Sequence, residues 1–145
     1  MKEAIRVVLV DDQELYREGN ALLLDATDDI VVVGEADTGE KALHAIAEAK
    51  PDILLMDIRM PGMGGIDATR RIVSAHPDIR VIALTIFDLD EYAFGALDAG
   101  ASAFILKSSS PEALIRTVRI VASGEAVVEP RITRQLIDMY TRRII

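Results

Sequence analysis

The run Ile53-Leu54-Leu55-Met56-Asp57-Ile58-Arg59-Met60-Pro61-Gly62-Met63-Gly64-Gly65 decides the fold. Four apolar residues stand unbroken before Asp57, with Pro51-Asp52 in front and Met60-Pro61-Gly62 behind as turn punctuation. A short apolar run bounded in this way reads as a strand buried on both faces, which only a sheet with helices on each side can provide. Asp57 then sits at the carboxyl end of a central strand, where open α/β sheets place their ligand chemistry. A lone aspartate there is more often a solvated or capping residue, so its neighbours in space decide what it is.

Working outward, Arg6-Val7-Val8-Leu9-Val10 reads as a first strand ending on Asp11-Asp12, and Ile30-Val31-Val32-Val33-Gly34-Glu35-Ala36 as a second. Between them, residues 14–26 carry Leu15, Leu22, Leu23 and Ala26 at helical spacing, with Asp12 or Gln13 near the start. Thr38 or Asp37 can cap a helix over 39–49 whose inner face is Ala42, Leu43, Ile46 and Ala47. After the central strand, Gly64 or Gly65 opens a helix to His76, with Ile66, Ala68, Thr69, Ile72 and Val73 facing inward. A fourth strand over 79–84 ends on Thr85; a helix from Asp88 or Asp90 to Ala99 stops at Gly100 in the position after a helix that favours glycine. A fifth strand, Ala103-Phe104-Ile105-Leu106, ends on Lys107, and Ser110-Pro111 starts a helix to about residue 123. A last helical pattern spans 130–143 with Ile132, Leu136, Ile137 and Tyr140 on one side. This strand–helix alternation with short connections predicts an α/β fold with a parallel sheet covered on both faces.

The chain has 145 residues, half of them apolar, which suits one domain with a full core. Cysteine is absent and the net charge is −8. Lack of cysteine fits a reducing compartment, no apolar run approaches a membrane span, and the first residues lack a secretory pattern. The expectation is a soluble, cytoplasmic protein without a membrane partner. Residues 131–145 hold Arg131, Arg134, Arg142 and Arg143 against Asp138, so the rest is more acidic still. An acidic body cannot neutralise phosphates, which argues against direct DNA binding by this chain.

Strands of a parallel sheet point one way, so Asp11-Asp12, Asp57, Thr85 and Lys107 share one edge. Three carboxylates a few ångströms apart repel and raise one another's pKa values unless a cation sits among them. An oxygen-only donor set suits Mg²⁺. A phosphoryl group would be held by that metal, the Thr85 hydroxyl and the Lys107 ammonium, with Asp57 as the nucleophile that becomes an acyl phosphate. Each member alone is bland: Asp11-Asp12 suits a helix N-terminus, and Lys107 a surface. His44 and His76 have no partners at metal spacing, and Met56, Met60 and Met63 read as core or turn filler.

The segments Val8-Leu9-Val10-Asp11-Asp12, Leu55 through Gly65, Ala83-Leu84-Thr85 and Ala99 through Lys107 together resemble the receiver domain of two-component response regulators. Residues 66–72, 87–92 and 111–114 look like the NarL/FixJ (LuxR-type) subfamily. The resemblance implies a flavodoxin-like, doubly wound five-stranded parallel sheet of order 2-1-3-4-5, with five helices and a C-terminal linker helix. It implies that Asp57 accepts a phosphoryl group from a sensor histidine kinase, that Asp12 ligates Mg²⁺ directly with Asp11 acting through water, and that the Arg59 backbone carbonyl and Asp57 complete the protein ligands. It also implies Thr85 as switch hydroxyl, Lys107 as ion-pair partner and Phe104 as switch aromatic. Such a domain is not an enzyme in the ordinary sense, although it promotes its own phosphorylation and slow dephosphorylation; Arg59, Ile86 and Phe87 fall where the latter is tuned.

Three departures stand out. Ser108 follows Lys107 where many receivers have proline, so a trans bond is expected at 107–108. Ile86 replaces a small residue, and its bulk should obstruct water attacking the acyl phosphate. Gly64 stands where aspartate is common. The expected division is a receiver domain over 1–125 and a linker segment and helix over 126–145 leading to a helix-turn-helix DNA-binding domain absent from this chain; the alternative is a stand-alone receiver acting as a protein-interaction module. Phosphorylation-dependent homodimerisation is expected from the resemblance and the spare apolar helix. A phosphohydrolase with an aspartate nucleophile would need a second acid two residues on, where Arg59 cannot donate a proton. A flavin protein would need a phosphate cradle where these loops are acidic.

Overall fold

The computed structural model describes residues 3–60, 63–86, 95–128, 133–134, 137–138 and 141. The strands are β1 (Ile5–Val10), β2 (Ile30–Ala36), β3 (Ile53–Asp57), β4 (Arg80–Thr85), β5 (Ala103–Leu106) and β6 (Val127–Val128). The helices are α1 (Glu14–Asp25), α2 (Gly39–Ala49), α3 (Gly65–Ala75), α4 (described over 95–98) and α5 (Pro111–Ala122). All neighbouring strands pair in parallel in the order β2-β1-β3-β4-β5-β6. The expected 2-1-3-4-5 order is therefore present, and a two-residue strand extends it where the sequence suggested only a connecting segment.

Side chains alternate across a strand, and that alternation builds two cores. Val7, Leu9, Ile53, Leu55, Ile82, Leu84 and Ile105 face Leu24 of α1 and Leu114, Val118 and Val121 of α5. Val8, Val10, Leu54, Met56 and Val81 face Ile46 of α2 and Ala68 and Ile72 of α3. A smaller cluster joins Ala83 and Phe104 to Ile58 and to Ala96 of α4. Every residue of β3 is buried, as its unbroken apolar run predicts.

The helix ends carry local causes. Thr38 caps α2 by accepting from the Lys41 amide, and Ser110 caps α5 by accepting from Ala113, with Pro111 at the first helical position. Gly100 takes φ +110° after α4, the left-handed conformation expected of it. The start of α4 expected at Asp88 or Asp90 lies outside the described residues.

Two helix faces differ from the sequence reading. Leu15 and Leu22 of α1 are 85% and 75% exposed, while Leu24, Tyr16, Ala21 and Leu23 pack inward. Two apolar stripes one residue apart run along α1, and the sheet takes the one bearing Tyr16 and Leu23. On α2, Ala47 is exposed and Ala45 and Ala49 pack against the core instead. Residues 133–134, 137–138 and 141 are helical, with Ile137 exposed; Ile132, Leu136 and Tyr140 lie outside the described residues.

Candidate functional site

Strand register brings the polar residues together. Val10 pairs with Met56, which sets Asp11 level with Asp57. Asp57 pairs with Leu84, one residue before Thr85, and Thr85 pairs with Leu106, one residue before Lys107. The ladder runs on past the strand ends: Ile58 N–H donates to Leu84 O at 3.1 Å and Lys107 N–H to Thr85 O at 2.7 Å. The residues therefore meet because four strands, β1, β3, β4 and β5, stop at the same edge.

Carboxylate oxygens of Asp11, Asp12 and Asp57 all lie within 4.8 Å of one another. Asp11, Asp57 and Thr85 are buried, whereas Asp12 is exposed. Asp57 Oδ1 accepts from the Arg59 N–H at 3.0 Å, and Asp57 Oδ2 accepts from Lys107 Nζ at 3.4 Å. Lys107 Nζ also lies 2.7 Å from Asp11 Oδ2, and both side chains of that pair are almost wholly enclosed. Asp11 Oδ1 accepts from the Gln13 N–H at 2.9 Å, and buried Oδ2 has the Lys107 ammonium as its ion-pair partner, without a well-aligned hydrogen bond. A cavity of about 350 Å³ opens over the cluster, lined by Asp12, Gln13, Asp57, Arg59, Thr85, Ile86 and Lys107.

Burial is the main reason the Asp57 carboxyl is pushed up from its ordinary 3.8 to about 7. The Arg59 N–H and the Lys107 charge pull the other way; the Asp11 charge and a hydrogen bond with Asp12 add to the rise. One lysine thus leaves three clustered carboxylates undercompensated. Three carboxylates with oxygens within 4.8 Å of one another and a reluctant Asp57 carboxyl both fit a divalent cation with oxygen ligands, so the residues present suit Mg²⁺.

Phe104 is fully buried, packed with Ile58, Ala83 and Ala96. Ile86 is 57% exposed at the cavity wall. Phe87 lies outside the described residues. The 107–108 bond is trans, as expected without proline. His44 and His76 are exposed, away from the cluster, and Met56, Met60 and Met63 pack in the core facing α2 and α3.

Sequence reasoning missed three residues that shape the site. A Cβ on Gly65 would stand 2.1 Å from Asp57 O and 2.4 Å from Ile58 Cα, so glycine is what lets α3 begin against the strand carrying Asp57. Gln13 Oε1 accepts from Lys107 Nζ at 2.7 Å. Tyr16 places its ring centroid 4.7 Å from the same ammonium. The glycine cluster after Asp57 was a visible signal for the first; nothing in the local sequence pointed to the other two.

A flavodoxin-like sheet with clustered acids and a lysine at its carboxyl edge defines a class, and comparison with known proteins gives the family. The response regulator receiver domain matches residues 7–119, and the chain belongs to that family. It is 41% identical over 132 residues to the response regulator GacA of Pseudomonas viridiflava, covering 91% of this chain and 62% of that protein. Among solved structures it resembles a LuxR-family two-component response regulator from Aurantimonas sp. SI85-9A1, with TM-score 0.89 and 32% identity over 96% of this chain and 99% of the other. It also resembles the receiver domain of the putative response regulator NarL from Mycobacterium tuberculosis, with TM-score 0.82 and 37% identity over 86% of this chain and all of the other. No helix among the described residues is long and apolar enough to cross a membrane.

Proposed function

We propose that Asp57 accepts a phosphoryl group from a phosphohistidine of a sensor histidine kinase, and that the resulting acyl phosphate switches the domain in a cytoplasmic two-component system. The observation that supports this best is the convergence of Asp11, Asp12, Asp57 and Lys107 at one edge, with their carboxylate oxygens within 4.8 Å and the ammonium beside two of them. The Asp11, Asp12 and Asp57 carboxylates and the Arg59 backbone carbonyl would hold Mg²⁺. When bound, the metal supplies positive charge that offsets the carboxylates and the phosphoryl oxygens.

The chain's own groups do the rest. The Arg59 N–H fixes one Asp57 oxygen. A new Asp57 O–P bond forms as the histidine N–P bond breaks, with Lys107 and the Thr85 hydroxyl drawn to the phosphoryl oxygens. Thr85 drawn inward opens room for the Phe104 ring to turn in, the position it already holds, fully buried, in this structure, and the face around α4, β5 and α5 changes its partner preference. Arg59 and Ile86 at the cavity wall, with Phe87 beside them in sequence, govern how water reaches the acyl phosphate.

The output is transcription control through a helix-turn-helix domain beyond this chain, with homodimerisation on phosphorylation. GacA of Pseudomonas viridiflava is longer, the chain spanning 62% of it, which leaves room for such a domain. Incubation with Mg²⁺ and acetyl phosphate, followed by intact mass, tests the assignment: wild type gains one phosphoryl mass and Asp57→Asn none. Equal gain in both would remove Asp57 from the role. Sedimentation of the same samples reads the dimer, and an unchanged monomer in both would count against regulated assembly.

A further inference from the structure

Gln13 occupies the N-cap of α1, a position where short polar side chains normally turn back to accept from the helix's first amides. Its side chain makes no such cap bond. It reaches instead across the site, and its Oε1 accepts from Lys107 Nζ at 2.7 Å, shorter than the 3.4 Å hydrogen bond from the same ammonium to Asp57 Oδ2. One turn along α1, the Tyr16 ring centroid lies 4.7 Å from Nζ. The ammonium is therefore held closely by Asp11 and the neutral Gln13 amide, both at 2.7 Å, and more loosely by the phosphoacceptor at 3.4 Å.

We propose that Gln13 is a positioning residue: its side-chain carbonyl, with the Tyr16 ring, holds the Lys107 ammonium in a resting place from which an incoming phosphoryl group must draw it. This rests on Asp57 being the phosphoacceptor. A lysine ammonium has three N–H donors, and its neighbours here are Asp11, Gln13 and Asp57. To donate to a phosphoryl oxygen it must weaken one of these contacts. The Asp57 contact at 3.4 Å is loose already, and of the two at 2.7 Å, breaking the buried ion pair with Asp11 is a costlier loss than leaving a neutral amide on an exposed residue. Gln13 is the partner that yields. Its hold opposes phosphorylation, but once the lysine is on the phosphoryl group the hold is already broken. Loss of the amide therefore speeds phosphoryl uptake and leaves the decay of the acyl phosphate alone.

The test uses the full chain as Gln13→Leu, which removes the acceptor, and Gln13→Asn, which keeps polarity but shortens the reach. Uptake from acetyl phosphate with Mg²⁺ is followed by intact mass, and decay is followed after the donor is removed. Both variants are expected to take up phosphate about fivefold faster, the fold-change of one neutral hydrogen bond, with decay unchanged. Uptake equal to or slower than wild type, or uptake and decay moving together, would overturn the proposal. The proton–nitrogen NMR signal of the Lys107 ammonium, assigned with Lys107→Arg, reads the clamp without any phosphoryl chemistry. It should be present in wild type and broadened away in Gln13→Leu; an identical signal in both counts against the clamp. A wild type that takes up no phosphoryl group on Asp57 while showing that NMR difference would overturn the phosphoacceptor reading and not the clamp.

Discussion

At the carboxyl end of the sheet, Asp11, Asp57 and Lys107 keep their side chains only 5–6% exposed and lie within 3.4 Å of an opposite charge. At the amino end the charges stand in water. Arg119 donates to both oxygens of Asp29 at 2.8 and 2.9 Å, with side chains 51% and 42% exposed, and Asp52 Oδ2 accepts from the Arg6 N–H at 3.0 Å. The exposed pairs leave no charge stranded. In the cluster at the carboxyl end, burial first of all, with the Asp11 charge and the Asp12 hydrogen bond adding to it, pushes the central carboxyl up to about 7. The two ends share one scaffold, so the contrast separates what the fold needs from what the chemistry needs.

The largest effect should come from filling the close approach that holds the buried end together. Gly65→Ala sets a methyl against Asp57 O and Ile58 Cα, backbone that cannot move without shifting the phosphoacceptor. Chemical denaturation should show a loss of about 3 kcal/mol, and phosphoryl uptake should be abolished in whatever remains folded.

Next in size is the pH dependence. Without divalent cations, folded Asp57 holds its proton to about 7, while the unfolded chain releases it near the ordinary 3.8. The contribution is fully present below about pH 4 and is lost as pH rises toward 7, because over that window the folded state binds more protons. The difference in thermal midpoint between wild type and Asp57→Asn should therefore move against wild type across this interval. Mg²⁺ should reverse the trend near pH 7, since it favours the ionised carboxylate. A difference that stays flat from pH 4 to 7 would remove burial as the ruling influence on Asp57.

A smaller change is expected at the cavity wall. Ile86→Ala should shorten the lifetime of the phosphorylated protein severalfold by opening a path for water, without altering stability, because Ile86 is 57% exposed. A wild-type lifetime shorter than that of the variant would refute the obstruction. Smallest of all, Asp29→Asn at the amino end should move the thermal midpoint no more than ordinary surface substitutions do, and added salt should erase the difference.

The residues at the carboxyl edge were legible in the sequence for a simple reason. Each of Asp11, Asp57, Thr85 and Lys107 closes or directly follows an apolar strand, and parallel strands align their ends. The faces of α1 were not legible, because Leu15 and Leu22 repeat at the same spacing as Tyr16 and Leu23, and only the sheet chooses between them. Val127–Val128 is too short to announce itself as a strand. Glycines after Asp57 were visible, but which of them the backbone demands depends on a distance between Gly65 and Asp57 that no spacing rule contains. The contact from Gln13 to Lys107 spans 94 positions and joins a helix cap to a strand end, so neither residue's neighbours foretell it.

The two-residue strand beside β5 has a consequence for the company the molecule keeps. Without it, the outer rim of β5 would present bare amide and carbonyl groups at Ala103 and Phe104, a template onto which a stray peptide could zip. Val127 and Val128 occupy those positions, so a crowded solution of this protein is guarded against edge-to-edge growth along the first half of β5.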